Sequence, residues 1–257
     1  MAKLFDMNNP FWTFLGRLVD VFVLHILWLV CSLPIVTFGA STAALYFALM
    51  RDITDEEAHY TKAFFRSFKQ NFKQGIGIGL IFLITGAMLA FAFYYYYLME
   101  GTGTIWTAAK VITIMLMILY VIVSQWLFPF FARFDNTTGA IFQNSLLLSI
   151  RHIGWSVVMA IVFVGVYFII LYFNFMPLMI LGYGLVAFIN SYILNRVFEP
   201  YIKASLEAEG KSDPEKDPDA WTVELPDEEN TENTERTAEE FAAEIIETAE
   251  EEIKEND

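Results

Sequence analysis

The sequence is poor in the residues from which soluble sites and secreted scaffolds are built. Its single cysteine, Cys31, excludes a disulfide framework. The histidines are only three, His25, His59 and His152, too far apart to form a ligand pair at metal-binding spacing. Charged residues make up 18% of the 257, where a soluble domain usually has about a quarter. There is no Gly-x-x-x-x-Gly-Lys phosphate loop, no Gly-x-Ser-x-Gly elbow and no His-Glu-x-x-His. No catalytic residue, cofactor or metal is therefore expected, and the chain does not read as an enzyme. The bases, even where they gather in residues 62–73, are too few for a nucleic-acid partner.

What is present is apolar surface. Hydrophobic residues are 56% of the chain and aromatics 17%. The net charge of −14 divides unevenly. Residues 205–257 hold 21 acids and 4 bases, and residues 1–204 hold 9 acids and 12 bases. An apolar, slightly basic body carries an acidic tail. The expected class is all-α: a polytopic transmembrane helical bundle of five to six hydrophobic segments, with a cytoplasmic amphipathic helix and an acidic C-terminal tail. The lipid bilayer is its first partner. The domain boundaries follow the charge: 1–204 membrane helical domain, 205–236 disordered acidic linker, 237–255 short acidic amphipathic helix.

Residues 76–98, 105–131 and 153–173 each exceed the ~20 residues that a bilayer requires. A fourth run, 178–198, follows the break Asn174-Phe175-Met176-Pro177. Residues 18–50 are apolar almost throughout; one helix of that length would reach about 50 Å, beyond a ~30 Å hydrocarbon core. Pro34 and Gly39 interrupt it. One span is expected to end near Pro34, followed by a short segment, 39–50, that returns as a re-entrant or tilted half-helix inside the protein. If that segment instead lies on the surface, the count is five and the N-terminus is outside. The run begins late and carries Asp20 and His25, so an ordinary first membrane helix is expected in place of a cleaved signal.

Basic residues set the orientation. Arg51, Lys62, Arg66, Lys69 and Lys73 cluster in one connection; Arg133 and Arg151 flank another, and Arg196 and Lys203 follow the last run. The opposite connections contain only Glu100. The basic side and the C-terminus are expected to be cytoplasmic. Lys3 and Arg17 put the N-terminus there as well.

Two residues sit in the first run as intramembrane polar candidates. Asp20 is expected at interface depth, paired with Arg17 across one helical turn. His25 is deeper, either a proton-relay or substrate contact or a hydrogen-bonded core histidine. Gln125, Asn190 and Asn195 are expected to bond between helices, and Gly75 with Gly79 forms a close-packing spacing. No internal repeat stands out.

In residues 61–74, Phe64, Phe68 and Phe72 recur every four residues, beside Lys62, Arg66, Lys69 and Lys73. At ~100° per residue these form two stripes of one helix. Together with Phe65 they are a candidate lipid or partner docking surface at the headgroup layer. In the tail, Phe241 and Ile245 lie on the apolar side of an acidic helix and are a candidate docking pair. Its charge is opposite to that of the 62–73 stripe, which gives the tail a possible seat on that face.

Several stretches resemble the YesL family of bacterial integral membrane proteins, a domain of unknown function. They are Asn9-Pro10-Phe11 with Arg17 and Asp20, Trp28-Leu29-Val30-Cys31-Ser32-Leu33-Pro34-Ile35-Val36-Thr37, and Gly39-Ala40-Ser41-Thr42-Ala43-Ala44-Leu45-Tyr46. Phe64-Phe65-Arg66-Ser67-Phe68-Lys69-Gln70-Asn71-Phe72, Arg133-Phe134-Asp135 and Leu147-Leu148-Ser149-Ile150-Arg151-His152 extend the likeness over most of residues 5–204. The acidic tail departs from the family pattern. The resemblance implies an all-helical protein of the bacterial cell membrane whose genes neighbour carbohydrate importers and sensors. It thus implies an accessory or regulatory role in sugar import or sensing, with carbohydrate ABC importer or sensor kinase subunits as partners. A small transporter or channel in its own right is the alternative.

Overall fold

The computed structural model describes residues 10–54, 60–98, 103–173, 176–209 and 223–224. They are almost entirely helical: α1 Pro10–Ser32, α2 Phe38–Thr54, α3 Tyr60–Gln70, α4 Phe72–Leu98, α5 Thr104–Arg133, α6 Thr138–Arg151, α7 Ile153–Tyr172 and α8 Met176–Glu209. A 3-10 turn, Ile35–Thr37, joins α1 to α2. Among the described residues, α4, α5 and α7 are long and apolar enough to cross a membrane; they coincide with the runs 76–98, 105–131 and 153–173, three of the five to six segments expected.

The first apolar run folds as a hairpin. Pro34, at φ −73° and ψ 111°, cannot continue α1, and the chain turns back into α2. The turn leaves carbonyls without helical partners, and nearby hydroxyls take them up. Thr37 Oγ1 donates to Cys31 O at 2.6 Å or Pro34 O at 2.7 Å. Ser32 and Ser41 hydroxyls meet at 2.6 Å, and Trp28 Nε1 donates to Thr42 Oγ1 at 3.0 Å. Such satisfaction is required of any backbone that turns away from water. Leu33 and Ile35, by contrast, stand 73% and 71% exposed at the tip.

From this turn α2 runs into the centre of the bundle. Every residue from Ala40 to Met50 is buried, and α1, α3, α4, α5 and α8 all pack on this helix. Residues 40–50 thus lie inside the protein and not on its outer face. The close approach to α4 depends on glycine. A Cβ on Gly39 would fall 2.7 Å from Gly79 Cα, and one on Gly75 would fall 2.7 Å from Ala40 Cα. The Gly75/Gly79 pair thus serves packing within the chain.

The hairpin tip reaches only part-way along α4. Phe38 stacks on Phe82 at 6.4 Å and meets Phe128 of α5 edge-on at 5.7 Å. Beyond Phe82, α4 continues for another sixteen residues to Leu98, about 24 Å of helix. That part is bare: Ile84 is 58% and Phe91 70% exposed. In α5, residues 125–133 are buried, whereas most of the residues from 104 to 124 are at least half-exposed. The packed core therefore occupies one end of the bundle, and a sparsely covered α4–α5 hairpin projects from it. Apolar surface on this scale is not left open to water by a soluble monomer.

The connection between α5 and α7, which charge alone presents as a loop, contains α6. Thr137 caps it, accepting from the Ala140 amide at 3.4 Å. A repeated arrangement then becomes visible. α2–α3–α4 and α5–α6–α7 each run as a helix, a short helix, a one-residue joint and a long helix, although α2, with 17 residues, is much shorter than its counterpart α5, with 30. The joints match bond for bond. Asn71 N bonds Ser67 O at 2.9 Å and Gly75 N bonds Asn71 O at 2.7 Å; His152 N bonds Leu148 O at 2.9 Å and Ser156 N bonds His152 O at 3.0 Å. Both joints are kinks in a continuing hydrogen-bond ladder.

α8 closes the bundle and remains helical to Glu209, past residue 204, where the charge changes sign. Val223–Glu224 then pairs in parallel with Phe134–Asp135, the strand after α5, in the register Phe134 to Val223 and Asp135 to Glu224. The rest of the expected linker and the 237–255 helix lie outside the described residues.

Candidate functional site

Two regions collect the residues singled out from sequence: the outward face of α3 and a buried polar seam between α1, α2 and α8.

α3 packs on α2 through Ala63, Phe64 and Ser67, all buried. Phe64 is a core residue at 0% exposure and does not belong to a docking surface. Of the phenylalanine stripe only Phe64 is fully covered, Phe68 and Phe72 being half-buried, and the rings pack on one another in sequence. Phe64 and Phe68 lie nearly parallel at 6.3 Å, and Phe68 meets Phe72 edge-on at 5.4 Å. The single helix expected over 61–74 is divided at Asn71, so Phe72 and Lys73 belong to the first turn of α4. The Asn71 amide donates to Ser67 Oγ at 3.2 Å and braces the joint. What remains outward is Lys62, Lys69 and Lys73, all exposed, with Arg66 half-buried and the Phe65 ring 51% exposed. The face thus offers three ammonium groups and a guanidinium around one aromatic ring. Gln74, next to Lys73, donates from Nε2 to Asn136 O at 2.6 Å and ties this corner to the α5–α6 connection.

In the seam, His25 is 1% exposed and lies against α8, where a Cβ on Gly184 would fall 2.7 Å from its Nδ1. Its ring is 5.2 Å from Trp28, which stacks on Tyr183 at 4.8 Å. Tyr183 and Tyr46 share a side-chain hydrogen bond. Aromatic packing and the hydroxyls of the α1–α2 turn account for this seam; it joins three helices and serves the hairpin. Asp20 is half-exposed on α1, and Arg17 donates to Tyr192 of α8 at 3.3 Å. Asn195 bonds between helices as expected, its Nδ2 donating to Met50 O at 2.9 Å. Gln125 does not: its amide is buried, and neither polar atom has a hydrogen-bond partner among the described residues.

Sequence reasoning passed over a third cluster at the α6–α7 joint. His152 Nε2 lies 2.9 Å from the Tyr201 hydroxyl of α8, and its ring stacks on Trp126 at 5.9 Å. Trp126 Nε1 donates to Ser156 Oγ at 2.8 Å, and Ser156 Oγ donates to Ser149 O at 3.0 Å. Burial, and then the neighbouring Arg151, hold the His152 imidazole below its ordinary value, so it is neutral at neutral pH. The signal that could have found it was the pairing of an isolated histidine with the Trp126 run, which no spacing rule connects. Among the described residues no three His, Cys, Asp or Glu side chains gather as a metal site would require. Phe241 and Ile245 lie outside the described residues.

Residues 21–93 match the model of a family described as a protein of unknown function, DUF624. The matched stretch runs from within α1 to near the end of α4, and so includes the hairpin turn, the Gly39–Gly79 crossing and all of α3. No curated protein and no solved structure matches the chain.

Proposed function

We propose that the chain is a multi-pass protein of the bacterial cell membrane that works by binding. On this reading it is an accessory or regulatory subunit for carbohydrate import or sensing, docking a carbohydrate ABC importer or a sensor kinase through the outward face of α3. One observation carries the reading: the molecule's dense core lies at the end that presents Lys62, Phe65, Arg66, Lys69 and Lys73, and the centre of that core is filled by a helix, α2, whose residues 40–50 are all buried. A firm scaffold under an exposed cationic and aromatic face suits docking. A path along the bundle axis would have to displace α2.

The charge pattern supports a cytoplasmic position for that end and for the C-terminus. The far end supports the opposite assignment, since Tyr94, Tyr97, Tyr172 and Phe173 stand exposed there at the helix ends as interfacial aromatics do. The shallow turn beside Phe82 supports a re-entrant α1–α2 hairpin, entering and leaving on the cytoplasmic side. The DUF624 match is in keeping with the YesL resemblance, and the sugar-related role rests on that resemblance.

The test is purification of the tagged full chain from its native host in mild detergent, with mass spectrometry of what accompanies it. Permease or kinase subunits at near-equal amounts are expected, and K62E/K69E/K73E should lose them while retaining the wild-type melting temperature. Emergence of the protein alone overturns the accessory reading. The repeated helix–kink–helix unit favours the second reading, a small transporter built from two like halves; substrate flux in liposomes holding only this protein would establish it.

A further inference from the structure

We infer that the outward face of α3 is the seat of the chain's own acidic C-terminal segment, residues 237–255, brought there by the short strand pairing of Val223–Glu224 with Phe134–Asp135. This goes beyond the docking reading, because the contact lies within one molecule and stands whether or not a partner is found.

The strand pair acts as a tether. Glu224 pairs with Asp135 in parallel, so the chain leaves the pair in the direction of Asn136. Asn136 O is the atom that holds Gln74 Nε2 at 2.6 Å, and Gln74 follows Lys73 directly. The tail therefore departs beside the corner where α3 meets α4. From there, residues 225–236 give twelve links before Thr237. Fully extended they span about 40 Å, and as a flexible coil about 20 Å. α3 itself, with 11 residues, is only about 16 Å long. The reach is sufficient without strain.

Charge and shape select the occupant. Residues 225–257 hold 14 acids and 2 bases, facing Lys62, Arg66, Lys69 and Lys73. A helix over 237–255 would place Phe241 and Ile245 one turn apart, with Glu240 and Glu244 along one side of them and Glu239 and Glu247 further round the helix. That is an apolar pair set among carboxylates, opposite an exposed Phe65 ring set among cations. A helix this short is marginal alone in water and gains by docking. The tether supplies a local concentration on the order of a millimolar. Even a contact with an intrinsic dissociation constant near a tenth of that would be occupied about nine-tenths of the time. Any partner of α3 must then displace the tail, which makes the tail a competitor built into the chain.

Zero-length carbodiimide coupling of the full chain in lipid nanodiscs tests this. Amides between Glu239, Glu240, Glu244 or Glu247 and Lys62, Lys69 or Lys73 are expected within single chains at low salt. They should fall about fivefold in 0.5 M salt, where the screening length is only a few ångströms. R66E with F65D should reduce them similarly while leaving the coupling amines in place. Val223→Pro, which disturbs the tether, should lower the yield several-fold; an unchanged yield overturns the role of the strand pair. Coupling of the tail only between copies, or to none of the three lysines, overturns the seat itself. Loss of partners in the purification experiment would leave these amides untouched, so the two readings fail separately.

Discussion

Gly39 and Gly79 meet backbone to backbone, so close that a Cβ on Gly79 would fall 2.7 Å from Gly39 N. This contact fixes the depth at which the α1–α2 hairpin crosses α4, and neither residue has a flexible neighbour there that could yield. Gly39→Val or Gly79→Val should lower stability by about 1–3 kcal/mol or more through overpacking. Gly77, with open space around its Cβ position, should accept alanine with little change. Thermal unfolding in detergent distinguishes the two positions.

Phe64 and Phe65 are adjacent in sequence and opposite in consequence. Phe64→Ala removes a fully buried ring and should cost about 3–5 kcal/mol. Phe65→Ala should leave the melting temperature within the range of ordinary surface changes, about 0.5 kcal/mol, and weaken whatever sits on α3. Parallel melting and pull-down measurements on the two variants check both halves.

Thr37 supplies the hydroxyl for the hairpin turn. Thr37→Val keeps the shape and leaves the Cys31 and Pro34 carbonyls without that donor, which should cost about 1–3 kcal/mol. Thr37→Ser should retain most of the wild-type stability. If valine and serine behave alike in chemical denaturation, the hydroxyl is not what holds the turn.

His152 gives the fold an acid-side dependence. Its folded-state value is depressed below 6.5 by burial and Arg151, so in the unfolded chain it takes up a proton first as pH falls. The stability tied to neutral His152 is fully present above about pH 6.5 and is lost as pH drops through the depressed value. His152→Gln should flatten the fall in melting temperature between pH 6.5 and 5. An identical pH profile for the variant would assign the dependence to other groups.

Gln125 predicts a gain. Its amide is buried without a hydrogen-bond partner among the described residues, and an unmet group of this kind costs about 1–3 kcal/mol. Gln125→Leu, similar in size, should therefore raise the melting temperature. A loss instead would point to a bridging water at that place.

The three long helices were legible because hydropathy over 76–98, 105–131 and 153–173 has one interpretation, and Pro34 with Gly39 marked the hairpin for the same reason. For residues 39–50, length and charge left a buried half-helix and a surface segment both open, and only the packing around them decides. The α3 face was only half legible. Phe64, Phe65, Phe68 and Phe72 are chemically alike, and a periodic stripe does not say whether it faces lipid or α2. The repeat was hidden because its halves use different residues for the same part. Asn71 and His152 make the same joint, and one copy lines its short helix with phenylalanine and lysine where the other uses leucine and serine. Only backbone hydrogen bonds reveal the equivalence. The pairing of Val223–Glu224 with a strand some ninety residues earlier has no local signature at all.

Cys31, the chain's only thiol, sits half-buried one residue before the end of α1, beside the tip that stops level with Phe82. On the re-entrant reading proposed above, the tip ends inside the hydrocarbon, where water from neither surface reaches it. The native chain, with no engineered cysteine, should therefore resist a membrane-impermeant maleimide applied to sealed vesicles of either orientation, and should react with a small lipid-soluble one. A hairpin that emerged on the far side would be labelled from there. The sequence thus carries its own single-site depth gauge.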